Sequence, residues 1–155
     1  MGRRTRAREC AVQMMYQWEV GRAPMDEIAA SFWQVRSTVN ETKSMAERLV
    51  RGAERRLAEI DAAIGEATIH WRIERLAVVD KSILRIATYE LMAEAQTPAA
   101  VVINEAIDMA KRFGDADSPP FVNGVLDAIS RAVRGAAGVG RDASSERKGV
   151  ADDER

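Results

Sequence analysis

The segment VVINEAIDMAKRFGDADSPPFVNGVLD, residues 101–127, decides the fold of this chain, because it has the pattern of two helices joined by a short hinge. Apolar residues recur at helical spacing and predict one buried stripe on the first helix: Val102, Ile103, Ala106, Ile107, Ala110 and Phe113. Gly114 follows this stripe as an expected left-handed C-cap. Ser118 and Pro119 form a helix-start signal, because a hydroxyl accepts from free amides and proline is tolerated in the first turn.

The second helix of this segment begins with residues suited to recognition. Phe121, Asn123 and Gly124 lie where free backbone amides and the positive end of the helix dipole favour anions such as phosphate. An aromatic ring such as Phe113 or Phe121 can stack on an unpaired base, and Asn123 can pair with a base edge. Each residue alone is more often a packing residue. Together they predict a corner that recognises single-stranded RNA.

Helical patterns cover most of the remaining chain, and strand patterns are nearly absent. Helices are expected over residues 5–20, from about 24, over 41–67 as one long helix, from about 80, and over the two segments just described. Asn40 is the expected N-cap of the long helix, and residues 70–72 are expected to be a break. The chain is therefore predicted to be all-α, with about six to seven helices in two sub-bundles that share one core.

The composition predicts one domain over residues 1–135 and a disordered polar tail over 136–155. No apolar run is long enough to span a membrane, and no apolar segment follows the N-terminal arginines as in a secretory signal. The single cysteine, Cys10, cannot form an internal disulfide and fits a reducing compartment, so the cytoplasm is the expected location.

The residues needed for catalysis or metal binding are scarce. His70 is the only histidine and Cys10 the only cysteine, and they lie in different elements. Residues 115–126 resemble the start of a calcium loop, but Pro120 and Leu126 stand where such loops need glycine and glutamate. We therefore expect no enzyme activity, no metal and no cofactor.

The N-terminal segment carries an excess of positive charge. Residues 1–22 contain five arginines and two glutamates, although the whole chain has a net charge of −1. Four of the arginines open the first helix: Arg3, Arg4, Arg6 and Arg8. Guanidinium groups bind phosphates through paired hydrogen bonds, and a bound anion would offset the unfavourable placement of cations at a helix start. The alternative is an ordinary charged N-terminus.

Several blocks of residues resemble the transcription antitermination factor NusB family. They are Arg6-Ala-Arg8-Glu9-Cys10-Ala11 with Tyr16, Val79–Ala87, Tyr89-Glu90-Leu91, Ile103–Ile107, Phe113-Gly114, Ser118 and Phe121–Leu126. The last block is long and specific. The blocks span nearly all of residues 3–130.

This resemblance implies two perpendicular helical sub-bundles and binding to boxA-type single-stranded RNA together with ribosomal protein NusE, other Nus factors and RNA polymerase. It implies RNA contacts by the four arginines, Tyr16, Phe113, Ser118, Phe121 and Asn123. Partner contacts are implied for Tyr16, Asp80 and Asp117. A monomer or weak homodimer is expected. Pro119-Pro120 replaces a more polar, often basic pair, so RNA affinity without NusE is expected to be weaker.

Two alternatives remain open from the sequence. The chain could be an RNA-recognition module that works beside a separate RNA methyltransferase, since it has no cofactor-binding α/β segment of its own. It could also be a helical protein-interaction scaffold with no RNA role.

Overall fold

Seven α-helices make up most of the residues that the computed structural model describes, which are 2–68 and 72–135. They are α1 (Arg3–Gly21), α2 (Met25–Gln34), α3 (Asn40–Arg55), α4 (Leu57–Ala67), α5 (Val78–Ala93), α6 (Ala99–Phe113) and α7 (residues 118–135), with a 3₁₀ turn (Ile73–Arg75) before α5. No strand occurs in these residues. The all-α prediction is confirmed. His70, Trp71 and the predicted tail lie outside the described residues.

The predicted long helix over 41–67 is wrong, because the chain turns at Arg56 between α3 and α4. Arg56 has φ −108° and ψ 24°, outside the helical region, although its amide still donates to Gly52 O over 3.2 Å. The turn lets α3 pack on α1 while α4 packs on α5. The apolar spacing from Ala53 through Ile60 is that of an unbroken helix, so it concealed the turn. Asn40 is the first residue of α3, and Val39 is the N-cap.

Helix α5 is the centre of the fold and contacts α1, α3, α4 and α6. All eleven residues from 81 to 91 are buried, so this helix has neighbours on every side. Three of the eleven are charged, namely Lys81, Arg85 and Glu90. Charges this deep need ionic partners, and the partners come mainly from α1.

Two ionic clusters fix α1 antiparallel to α5. Near the start of α1, Arg8 Nη2 is 2.6 Å from Glu90 Oε2. Near its end, Glu19 accepts from Lys81 Nζ at 3.0 Å and from Arg85 Nη1 at 2.7 Å. The two clusters are eleven residues apart on α1, or about 16 Å along the helix axis. A pair of anchors at this spacing fixes both the direction and the register of the two helices.

The Glu19 cluster should make stability depend on acid pH. Burial alone would raise the pKa of Glu19, but hydrogen bonds from Arg85 and Lys81 lower that pKa to about 2. A carboxylate with a lowered pKa stabilises the fold above its ordinary pKa of 4.5, and this contribution is lost as the pH falls toward 2. The free energy of unfolding of wild type should therefore decrease over that range, as measured by urea denaturation at each pH.

Glu19→Gln is the matching variant, because it removes the titrating group. It should be less stable than wild type at pH 7, and the difference should shrink as the pH falls from 4.5 toward 2. A difference that stays constant over this range would show that Glu19 does not hold its charge through this cluster.

Tyr89 of α5 lies directly against the backbone of α3 at Gly52. A Cβ atom built on Gly52 would be 2.1 Å from Tyr89 Cζ and 2.2 Å from Tyr89 Oη. Both residues are buried. Glycine is therefore required at position 52 because α3 and α5 approach closely there. The sequence pattern did not reveal this requirement.

We expect Gly52→Ala to lower the free energy of unfolding by about 1–3 kcal/mol, because the added methyl group overpacks a buried contact. Gly65→Ala in α4 is the control, since a Cβ there meets nothing within 4 Å. Alanine is favoured over glycine inside a helix, so Gly65→Ala should be neutral or stabilising. Urea denaturation of both variants checks the prediction, and equal stabilities would contradict it.

Candidate nucleic-acid interface

The corner between α6 and α7 depends on Gly114, but not for the expected reason. Gly114 has φ −94° and ψ −170°, which is extended backbone, so the predicted left-handed cap is wrong. A Cβ on Gly114 would be 2.4 Å from Ser118 Oγ and 2.9 Å from Ala110 O. The glycine is needed because the first turn of α7 folds back onto the end of α6.

Asp115 and Ser118 cap the start of α7 reciprocally. The Asp117 amide donates to Asp115 Oδ1 at 2.9 Å, and the Asp115 amide donates to Ser118 Oγ at 3.1 Å. These bonds resemble a capping box, and they close the turn over residues 115–118 that leads into α7. Ser118 is 2% exposed. Its hydroxyl holds the corner together, and the structure does not support its predicted contact with RNA.

Asp80, a predicted partner-binding residue, lies beside this corner. It is in the first turn of α5, and its Oδ1 atom is buried without a hydrogen-bond partner. Burial raises the pKa of Asp80, the Ser118 hydroxyl lowers it, and the Asp115 charge raises it further. The start of α5 and the hinge before α7 therefore form one continuous region.

The corner presents one ring and one amide side chain to solvent. Phe113 is 37% exposed at the end of α6, so its predicted place in a buried stripe is wrong. Phe121 is half-buried and packs against the core. Asn123 is exposed, and the space over Gly124 is open to 4 Å. Phe113 and Asn123 are accessible to a ligand, and Phe121 is accessible only in part.

Arg8 does not reach the surface, so the structure does not support a phosphate contact by this residue. It is 3% exposed. Its Nε and Nη2 atoms donate to Glu90, and its Nη1 atom donates to Glu105 Oε1 at 2.7 Å. Thr5 Oγ1 donates to the same Glu105 atom at 2.7 Å. Arg8 thus joins α1 to both α5 and α6.

The other three arginines are exposed, but they do not form one cluster. Arg3 Nη1 is 2.8 Å from Glu41 Oε2 at the start of α3, and Arg4 lines the same groove. Arg6 follows Arg4 by about 200° around the helix, on a different face. Burial raises the pKa of Cys10, and Arg6 is close enough to oppose this rise. The expected basic arm therefore wraps around α1, with Arg3 about 60° from Arg6 and about 100° from Arg4.

Arg112 is a further candidate site residue, which the sequence pattern did not reveal. Its guanidinium forms an ion pair with Glu9 of α1 and lies 5.2 Å from the centroid of the Phe113 ring. Glu9 is 7% exposed at its side chain, whereas Arg112 is 48% exposed. A buried carboxylate thus holds an accessible cation beside an accessible ring. In the sequence, Arg112 stands next to Phe113, and this position was a sign of a possible site role. The ion pair of Arg112 with Glu9 of α1 depends on the fold and could not be predicted.

The remaining predicted residues are accessible. Tyr16 is 41% exposed on the outer face of α1, and Asp117 is exposed in the hinge before α7.

No helix in residues 2–68 and 72–135 is long and apolar enough to cross a membrane. The same residues hold no group of three His, Cys, Asp or Glu side chains that could bind a metal ion.

Comparison with known proteins identifies the family. The NusB family model matches residues 5–131, which is most of the chain. The chain belongs to the NusB family. The transcription antitermination protein NusB of Sorangium cellulosum is 41% identical over 130 residues, covering 84% of this chain and 93% of that relative.

Solved structures of NusB proteins share this fold. T. maritima NusB is 36% identical with a TM-score of 0.76, covering 84% of this chain and 92% of the other. A chain from a crystal structure of antitermination factors NusB and NusE in complex with dsRNA is 28% identical with a TM-score of 0.78. That likeness covers 85% of this chain and 98% of the other.

Replacing Arg8 should destabilise the protein because of the charges left behind. Arg8→Met leaves Glu90 without its ion-pair partner and Glu105 with Thr5 alone, and breaking a buried ion pair costs about 3–5 kcal/mol. Arg6→Met removes an exposed arginine from the same helix and should change stability by no more than about 0.5 kcal/mol. Urea denaturation at pH 7 checks the pair. Equal effects of the two substitutions would contradict the buried role of Arg8.

Proposed function

We propose that this chain is a non-enzymatic, RNA-binding transcription antitermination factor. The observation that carries the proposal is the accessible pair of Arg112 and Phe113 at the corner between α6 and α7. Family membership supports it, because the relatives are transcription antitermination proteins and a similar chain was crystallised with NusE and dsRNA.

At the corner, the chain would hold an unpaired strand through two kinds of contact. Phe113 offers a ring for stacking, while Arg112 beside it offers a charge-assisted hydrogen bond to phosphate. Asn123 can pair with a base edge, and the exposed side of Phe121 adds a second apolar surface. Arg3, Arg4 and Arg6 would add salt-dependent attraction for phosphates along the start of α1. Arg112 and Phe113 lie where Glu9 brings α1 against α6, whereas Arg3 and Arg4 lie beside Glu94 and Thr97, just past the end of α5.

The partners proposed are boxA-type RNA, ribosomal protein NusE, other Nus factors and RNA polymerase, acting in transcription of ribosomal RNA operons. Tyr16, Asp80 and Asp117 are proposed to meet the protein partners. Asp80 and Asp117 both lie at the corner region, so a partner bound there would be next to the RNA. Pro119-Pro120 supplies no cation in this region. NusE would therefore contribute a large share of the affinity.

Loss of the Phe113 ring should weaken RNA binding without unfolding the protein. Phe113→Ala is expected to reduce the free energy of boxA RNA binding by about 1–3 kcal/mol, the range for stacking of one base on an aromatic side chain. Val101→Ala is the control, because Val101 is an exposed apolar residue of the same helix. Binding is measured with and without NusE, using boxA RNA and a scrambled strand. Equal affinities of Phe113→Ala and Val101→Ala for boxA RNA would contradict the corner as the RNA site.

A further inference from the structure

We propose that the solvent face of α3 is a second RNA-binding surface, along which a single strand continues from the start of α1. This α3 basic surface consists of Lys43, Arg48, Arg51 and Arg55. None of these residues is among the predicted site residues. The proposal rests on the RNA-binding function proposed above and extends it to nucleotides outside the primary site.

The start of α1 and the α3 basic surface are continuous. The Arg3–Glu41 ion pair places the first turn of α1 beside the first turn of α3. Arg3, Arg4 and Arg48 line one groove there. Arg48 also lines the neighbouring groove, together with Lys43, Arg51 and Arg55. A strand held at Arg4 would therefore meet Arg48 in the same groove, past Glu41 and Glu94.

The α3 basic surface points away from the core. Arg48, Arg51 and Arg55 follow one another at intervals of three and four residues, which places them along one side of the helix, and Lys43 lies about 100° around the helix from this row. The opposite side of α3 carries the buried residues Ala46, Leu49, Val50 and Ala53. Arg48 and Arg55 are separated by seven residues, or about 10 Å along the axis.

Cations exceed anions on this path, although the whole chain is slightly acidic. The two grooves are lined by six basic residues, Arg3, Arg4, Lys43, Arg48, Arg51 and Arg55, and by three acidic ones, Glu41, Glu47 and Glu94. Arg48 pairs with Glu94, and Arg51 pairs with Glu47 and Asp26. Such exposed pairs contribute little energy, so a phosphate can compete for the arginines. No carboxylate within 4.0 Å is found for Arg4, Lys43 or Arg55 among the described residues.

An aromatic side chain accompanies the cations. The Trp33 indole is half-buried, with Nε1 donating to Glu47 Oε2 at 2.9 Å, and Lys43 Nζ lies 5.8 Å from its ring centroid. Cations with a nearby aromatic ring are typical of surfaces that follow single-stranded nucleic acid without reading its sequence. The ligand expected on α3 is therefore the flanking strand, held by its phosphates.

The test uses full-length protein bound to NusE and RNAs of two lengths. The short probe is a boxA strand of about 12 nucleotides, and the long probes carry about 12 additional uridines at the 5′ or the 3′ end. The variant is Arg48→Ala/Arg55→Ala, which keeps the two ion pairs of Arg51. The control is Arg72→Ala/Arg75→Ala, which removes two exposed arginines that line neither groove.

Wild type is expected to bind one long probe more tightly than the short probe, by roughly five- to tenfold at about 0.1 M salt, because the protein then touches more phosphates. The Arg48→Ala/Arg55→Ala variant should bind the long probe no more tightly than the short one and retain its affinity for the short probe. Its salt slope for the long probe should fall by about 1.4, because each of the two arginines neutralises one phosphate and each phosphate of a single strand accounts for about 0.7. The control variant should keep the preference for the long probe.

Two results would overturn the proposal. Equal wild-type affinities for all probes would mean that no second surface exists for RNA. A preference for the long probe that persists in Arg48→Ala/Arg55→Ala would place the added nucleotides elsewhere and leave an acidic protein as the ligand of α3. Failure of the primary site looks different, because wild type would then bind neither the short nor the long probes.

Discussion

The buried guanidinium of Arg8 makes the interaction on which the rest of the molecule depends. It is shielded from solvent and joins three helices, because Glu90 belongs to α5 and Glu105 to α6. A charge at this depth is tolerated only with complete pairing, so α1 can dock in one position alone. That position also brings Glu9 to Arg112 and so sets the cation beside Phe113. The interior pairing and the proposed RNA surface are therefore consequences of one docking event.

Much of the fold could be predicted from apolar spacing. Val102, Ala106 and Ala110 of α6 are buried as their spacing predicted, because a helix with a buried face needs that spacing. Spacing cannot show where a helix turns, however. Ala53, Ile60 and Ile64 keep helical register across Arg56, and the turn there arises from packing on two different neighbours. This constraint belongs to the tertiary structure, and no local pattern records it.

Only some of the residues predicted for the candidate site are accessible in the structure. Phe113 and Asn123 were recognised as residue types suited to bases, and both are accessible. Ser118 and Arg8 were recognised equally well by type, yet both are buried, since a hydroxyl or guanidinium suited to an anion is equally suited to a backbone amide or a carboxylate. Arg112 was missed because its partner Glu9 is 103 residues away in the chain.

The N-terminal arginines show why a run of like charges on a helix rarely acts as one patch. At about 100° per residue, neighbouring cations point to different sides, and each meets a different environment. Arg8 enters the core, Arg6 faces the side of Cys10, and Arg3 and Arg4 face α3. A ligand that touches Arg4 and Arg6 together must pass around the end of α1. An unpaired strand can bend in this way, whereas a rigid duplex would meet only one side.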